Sequence, residues 1–152
     1  MEAATAQHGD LNRLAVTATV HCLIGCVIGE LVGMMIATAL GWGNVASIAL
    51  AIGLAYLFGL SLTARPLIKA GLAAGTVITT ALAVDALSIT IMEVIDNAFV
   101  ALYPGAMEAG LTDPVLYLAI ALGFAIAFPF AFMANRYLIA RGKGHALVHE
   151  YH

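Results

Sequence analysis

Charged side chains are scarce in this chain. Of 152 residues only 10% are charged, 9 acidic and 6 basic, where a soluble domain carries about 25%. So few charges do not cover a folded surface in water, which excludes an ordinary soluble domain. No basic patch interleaved with aromatics is present, which excludes a nucleic-acid surface. No Gly-rich phosphate loop follows a strand pattern, which excludes a nucleotide site. Cysteine is limited to Cys22 and Cys26, both inside an apolar run, so a secreted disulfide framework is excluded as well. The first dozen residues are polar and acidic, without the basic start and small-residue cleavage site of a signal peptide. The length predicts one domain with no separate catalytic unit.

What is abundant is apolar sequence: 62% of positions, with a mean hydropathy of +1.00. A membrane-crossing helix needs roughly 20 mainly apolar residues. Four stretches qualify, at 14–40, 45–62, 68–102 and 115–138. Gly41 to Asn44 reads as a tight turn. Thr63 to Pro66 reads as the end of the second helix and the start of the third, with Pro66 in a first turn. Pro104 and Gly105 close the third, and Asp113-Pro114 is a cap followed by Pro at the first helical position. The third stretch is then 35 residues long, about 50 Å if fully helical, and must tilt, kink or project. The expected fold is all-α, a polytopic membrane protein with a four-transmembrane-helix bundle. Its parts are a short polar segment at 1–12, the transmembrane domain at 13–142 and a His-containing tail at 143–152. Arg13, Arg65, Lys69, Arg136, Arg141 and Lys143 flank one side only. By the positive-inside rule both termini are cytoplasmic.

Ionisable residues inside such stretches are costly and mark a site. The first stretch carries His21, Cys22, Cys26 and Glu30, and the third carries Asp85, Met92, Glu93 and Asp96. Residues four apart share a helical face. Cys22, Cys26, Glu30 and Met34 form one stripe, overlapped by Gly25, Gly29 and Gly33, a ridge that admits a second backbone closely. Asp85, Ser88, Met92 and Asp96 share a face of the third helix, with Glu93 and Asn97 beside it. Counted by helical rise from Arg13 and from Lys69, Glu30 and Asp85 fall at about the same depth, near 25 Å. Glu93 and Asp96 then form an acidic mouth above them. Oxygen donors suit Mg²⁺, Ca²⁺ or Mn²⁺, whereas thiols, thioethers and imidazole suit softer metals. His21 points about 100° from Cys22 around the helix, so the three soft donors do not converge from one helix alone. His145 and His149, four apart in the tail, are a possible second point of metal capture.

Three motifs carry a family resemblance. His-Cys-Leu-Ile-Gly-Cys-Val-Ile-Gly-Glu at 21–30, Met-Glu-Val-Ile-Asp-Asn at 92–97 and Asn-Arg-Tyr-Leu-Ile-Ala-Arg-Gly-Lys-Gly-His-Ala at 135–146 resemble a bacterial integral-membrane family catalogued as domain of unknown function 4396. The resemblance spans the chain from about residue 14 onward and implies a compact four-span domain. Members that resemble it often carry a His-rich segment before the first span, of which this chain has only His8. The family supplies no activity.

The expected function is therefore a small protein of the bacterial inner membrane that binds or conducts a transition-metal cation such as Cu, Zn, Mn or Fe. The metal residues are Glu30, Asp85, Glu93, Asp96, Met92, His21, Cys26 and Cys22. No residue is assigned to catalysis or to an organic cofactor. Four spans enclose little volume, which predicts a homo-oligomer, a dimer or trimer, in the lipid bilayer. Without a nucleotide site, transport must be downhill or proton-coupled. The alternatives are a proton or monovalent-cation channel that uses the carboxylates alone, and a redox or non-catalytic subunit of a larger membrane complex.

Overall fold

A computed structural model describes residues 2–141, with side chains from Gly9 onward. Four helices follow one another: α1 (Glu2–Ala39), α2 (Asn44–Lys69), α3 (Ala74–Leu102) and α4 (Pro114–Ala140). All four are long and apolar enough to cross a membrane. Helix α1 also shows which way the bundle is turned. Val16, Val20, Ile24 and Ile28, four apart, are exposed, while Cys22, Cys26 and Glu30 on another face are buried. Ala15, Ala18 and Ala37 are small and buried, so the bulky side chains point outward. Exposed apolar surface of this extent on every helix needs a hydrocarbon solvent. The chain is a multi-pass membrane protein, all-α as its sequence predicts.

The breaks between helices follow from local chemistry. At the end of α1, Gly41 has φ +66°. Its N–H donates to Thr38 O, and the Trp42 N–H donates to Ala37 O. This closure satisfies carbonyls that a helix end leaves without partners. Helix α2 ends in the same way. Gly71 has φ +82°, its N–H donates to Ile68 O, and the Leu72 N–H donates to Leu67 O. Leu72 also packs on buried Leu67. The predicted break at 63–66 is thus displaced. Pro66 lies inside the last turns of α2. Proline removes one hydrogen bond there, and the helix continues until a glycine offers the left-handed conformation that reverses the chain. Helix α3 in consequence begins at Ala74 and is 29 residues long, not 35. At α4, Asp113 accepts a hydrogen bond from the Val115 N–H at 2.9 Å and Pro114 takes the first position, as the sequence predicts.

Packing follows residue size. Each helix lies against its sequence neighbours, α4 returns to α1, and α1 meets α3 across the middle. Helix α2 is attached by one stripe four residues apart: Ala51, Ala55, Gly59, Thr63 and Leu67. Against it stand Gly25, Gly29 and Gly33 of α1. A Cβ on Gly25 would lie 2.6 Å from Gly59 Cα, one on Gly33 would lie 2.6 Å from Ala51 Cα, and one on Gly29 would overlap the Ala55 backbone. The ridge therefore seats α2, which leaves the Cys22–Cys26–Glu30 stripe turned toward α3 and α4. Helix α4 is tied to α1 near their shared end, where Arg136 Nε donates to Asn12 Oδ1 at 2.7 Å. Arg13, Arg65, Lys69, Arg136 and Arg141 gather at that basic end. The other end carries Trp42, Glu108 and Asp113.

Candidate functional site

Helix α3 buries all of its carboxyl side chains. Asp85, Ser88, Glu93 and Asp96 all face inward, with Met92 among them. Facing them across the diagonal, α1 presents Cys22, Cys26 and Glu30. Two groups of polar side chains result, one nearer each end of the bundle.

The larger group joins Glu30, Glu93 and Asp96, which are 3%, 2% and 0% exposed. The Glu30 and Asp96 carboxyls meet, and Glu93 stands close to both. Cys26 lies beside Glu93. Asn97 Nδ2 donates to Glu93 Oε2 at 3.2 Å and to the Glu93 carbonyl at 2.9 Å. Glu93 Oε1, Glu30 Oε2 and both Asp96 carboxyl oxygens are buried without a hydrogen-bond partner from the protein. Asp96 reaches this position because α4 has a glycine opposite it: a Cβ at Gly123 would overlap Asp96 Oδ1. Cys22 and Cys26 are 1% and 0% exposed, with sulfurs 3.9 Å apart. Met92 belongs to the same buried cluster.

A cavity of about 110 Å³ leads to this group from the end opposite the basic one. Glu30, Met34, Asn97 and Met107 are among its lining residues, with Asn44 and Ser47 at the start of α2. Glu30 therefore belongs both to the cavity wall and to the buried cluster.

The second group lies toward the basic end. Asn135 of α4, 1% exposed, donates through Nδ2 to Thr19 Oγ1 at 3.0 Å and to Ser88 Oγ at 3.1 Å. Thr19 Oγ1 in turn donates a hydrogen bond to the Ala15 carbonyl at 2.7 Å. One amide thus links α1, α3 and α4. Asp85 lies beside the Thr63 hydroxyl of α2. Nearby on α2, the Tyr56 hydroxyl is bonded to Thr90 Oγ1 and reaches the Ala86 carbonyl at 3.4 Å.

This placement revises the expected register. Glu30 meets Asp96 and Glu93, whereas Asp85 belongs with Thr63 further along. The cause is the chain reversal at Gly71. Counting depth from Lys69 adds a turn that belongs to α2 and its loop, so Asp85 stands only 11 residues into α3, about 16 Å. His21 is partly exposed on α1 and lies nine residues from Glu30, about 13 Å along the axis. His145 and His149 lie outside the described residues. Among the described residues, no three of His, Cys, Asp and Glu are grouped so as to hold a metal ion by themselves. Sequence reasoning missed Thr63, Thr19 and Gly123. A single glycine amid the Ala, Leu and Phe of α4 was the one available signal for the Asp96 seat. Asn135, the first residue of the 135–146 motif, bridges three helices.

The sequence model of one family, described as "Domain of unknown function (DUF4396)", matches residues 12–144. No curated protein and no solved structure matches the chain.

Proposed function

The chain belongs to the DUF4396 family, and from that premise we propose that it binds a metal cation within the bilayer and conducts it through the bundle. One observation carries this reading: three carboxyl groups, Glu30, Glu93 and Asp96, are buried together at the foot of a cavity, with oxygens that no protein group satisfies. Charge in hydrocarbon costs several kcal/mol on the order of insertion measurements, and like charges side by side add to that. A cation in their midst offsets both. The described basic residues sit at the other end of the bundle, so none of them supplies the charge.

In this reading the basic end is cytoplasmic, which follows from the positive-inside rule. Both termini are then inside, and the cavity opens to the far side of a bacterial inner membrane. A cation is collected at Asn97 and Glu30, passes Glu93 and Asp96 beside Cys26, and moves on toward Asp85, Thr63 and the Asn135 bridge. Movement is downhill or coupled to protons. A homo-oligomer, dimer or trimer, extends the enclosed volume that four helices supply. His21 is a further ligand if the cation travels toward the basic end.

The test is the metal content of the purified protein by mass spectrometry, wild type beside Glu30→Gln and Asp96→Asn. Stoichiometric metal in the wild type, lost in both variants, supports the reading and names the ion. A metal-free wild type that added Cu⁺, Zn²⁺, Mn²⁺ and Fe²⁺ all fail to load overturns it. A specific contact favours the second reading in that event. The Glu30 and Asp96 carboxyls stand side by side with Glu93 close to both, a row of acids along which a proton can pass. Proton flux into proteoliposomes, abolished by Glu30→Gln, is its signature.

A further inference from the structure

We infer that the cation taken by this protein is a soft monovalent metal of the cuprous class, held by Cys22 and Cys26. The inference rests on the cation reading above and deepens it.

The first support is geometric. The two sulfurs are 3.9 Å apart and almost wholly buried. With metal–sulfur bonds of about 2.3 Å, two thiolates on one metal stand about 3.8 Å apart in a tetrahedral site and about 4.0 Å apart in a trigonal one. The pair therefore fits a single metal without rearrangement of α1. Further sulfur belongs to the same buried cluster. Met92 is buried in the same cluster as both cysteines, and Met34 packs against that cluster while lining the cavity with Met107. Along α1, Met34, Glu30, Cys26 and Cys22 succeed one another every four residues, about 6 Å per step. The order from cavity to interior is thioether, carboxylate, thiol, thiol.

The second support is donor chemistry. Carboxylate oxygens suit hard ions such as Mg²⁺, Ca²⁺ or Mn²⁺. Two thiolates completed by a thioether form a set of another kind, and thiolate with thioether selects Cu⁺.

The experiment is anaerobic titration of the detergent-solubilised full chain with Cu⁺ against a chromophoric Cu⁺ chelator. Copper X-ray absorption on the loaded wild type accompanies it and requires no variant. The expected result is one Cu⁺ per chain with a sulfur-only ligand shell. The double variant Cys22→Ser, Cys26→Ser, with unchanged helix content, should bind at least a hundredfold more weakly. A shell of oxygen or nitrogen ligands overturns the inference. So does Cu⁺ affinity within a fewfold of wild type in the folded double variant. Tight Zn²⁺ or Mn²⁺ binding that survives the double variant but not Glu30→Gln overturns it while leaving the cation reading in place. Failure of every metal to bind removes both.

Discussion

Two glycine-to-alanine substitutions in the α1–α2 pair should move stability in opposite directions. Gly29 faces the α2 backbone, and a Cβ there would overlap the amide nitrogen and Cα of Ala55. Backbone does not rotate away as the end of a side chain does, so the two helices must separate. Separation also loosens the flanking contacts of Gly25 with Gly59 and of Gly33 with Ala51. Within a bilayer such close packing is a principal force between helices. Overfilling a packed interface costs about 1–3 kcal/mol, and backbone contact places Gly29→Ala in the upper part of that range. Gly53 lies in the same contact pair, on α2, but with nothing within 4 Å of its Cβ position. There alanine relieves the intrinsic helix penalty of glycine and gains about 0.5–1 kcal/mol. The variants should differ by about 1.5–4 kcal/mol. The assay is reversible unfolding in mixed micelles by SDS titration, followed by circular dichroism. Equal stability of the two variants would refute the close approach of α1 and α2.

Three further outcomes are expected. Gly71→Ala places a Cβ at φ +82° and should lose about 1–2 kcal/mol in the same unfolding assay; an unchanged midpoint would mean that α2 ends by another route. Asn135→Leu removes hydrogen bonds to both Thr19 and Ser88. At about 0.6 kcal/mol per intramembrane bond, it should cost roughly 1 kcal/mol, and a double-mutant cycle with Ser88→Ala should show coupling of about half that. Asp96→Asn removes one of three crowded carboxyl groups, so it should raise the melting temperature in chelator. It should also abolish the further rise that the metal gives wild type, about 2.7 kcal/mol at a hundredfold excess over Kd. Retention of that rise would exclude Asp96 from the site.

The four helices were legible because hydrocarbon thickness sets their length and because few charges interrupt them. The Asp113-Pro114 start of α4 was legible because a cap is a local event. The end of α2 was misread at Pro66 because proline is the louder signal in a sequence. The actual terminator, Lys69-Ala70-Gly71-Leu72, has the Gly and neighbouring apolar residue of a left-handed closure. That error propagated into depth and paired Glu30 with Asp85 in place of Asp96. The glycine ridge was correctly read as a close helix contact, but a ridge does not name its partner, and that partner is α2. The Asn135 bridge and the Asp96 seat at Gly123 join residues from three helices and two helices respectively. Neither has a periodicity within one segment, so neither leaves a pattern in the chain.

The same two contacts place α4 last in the history of the molecule. Asn135 and Gly123 follow α3 in the chain, so a ribosome delivers them after α1, α2 and α3 have emerged. Until then Thr19 and Ser88 lack the amide that joins them, and Asp96 faces a side of the bundle that no helix has closed. A chain inserted helix by helix would therefore leave its polar interior open toward lipid until α4 closes it.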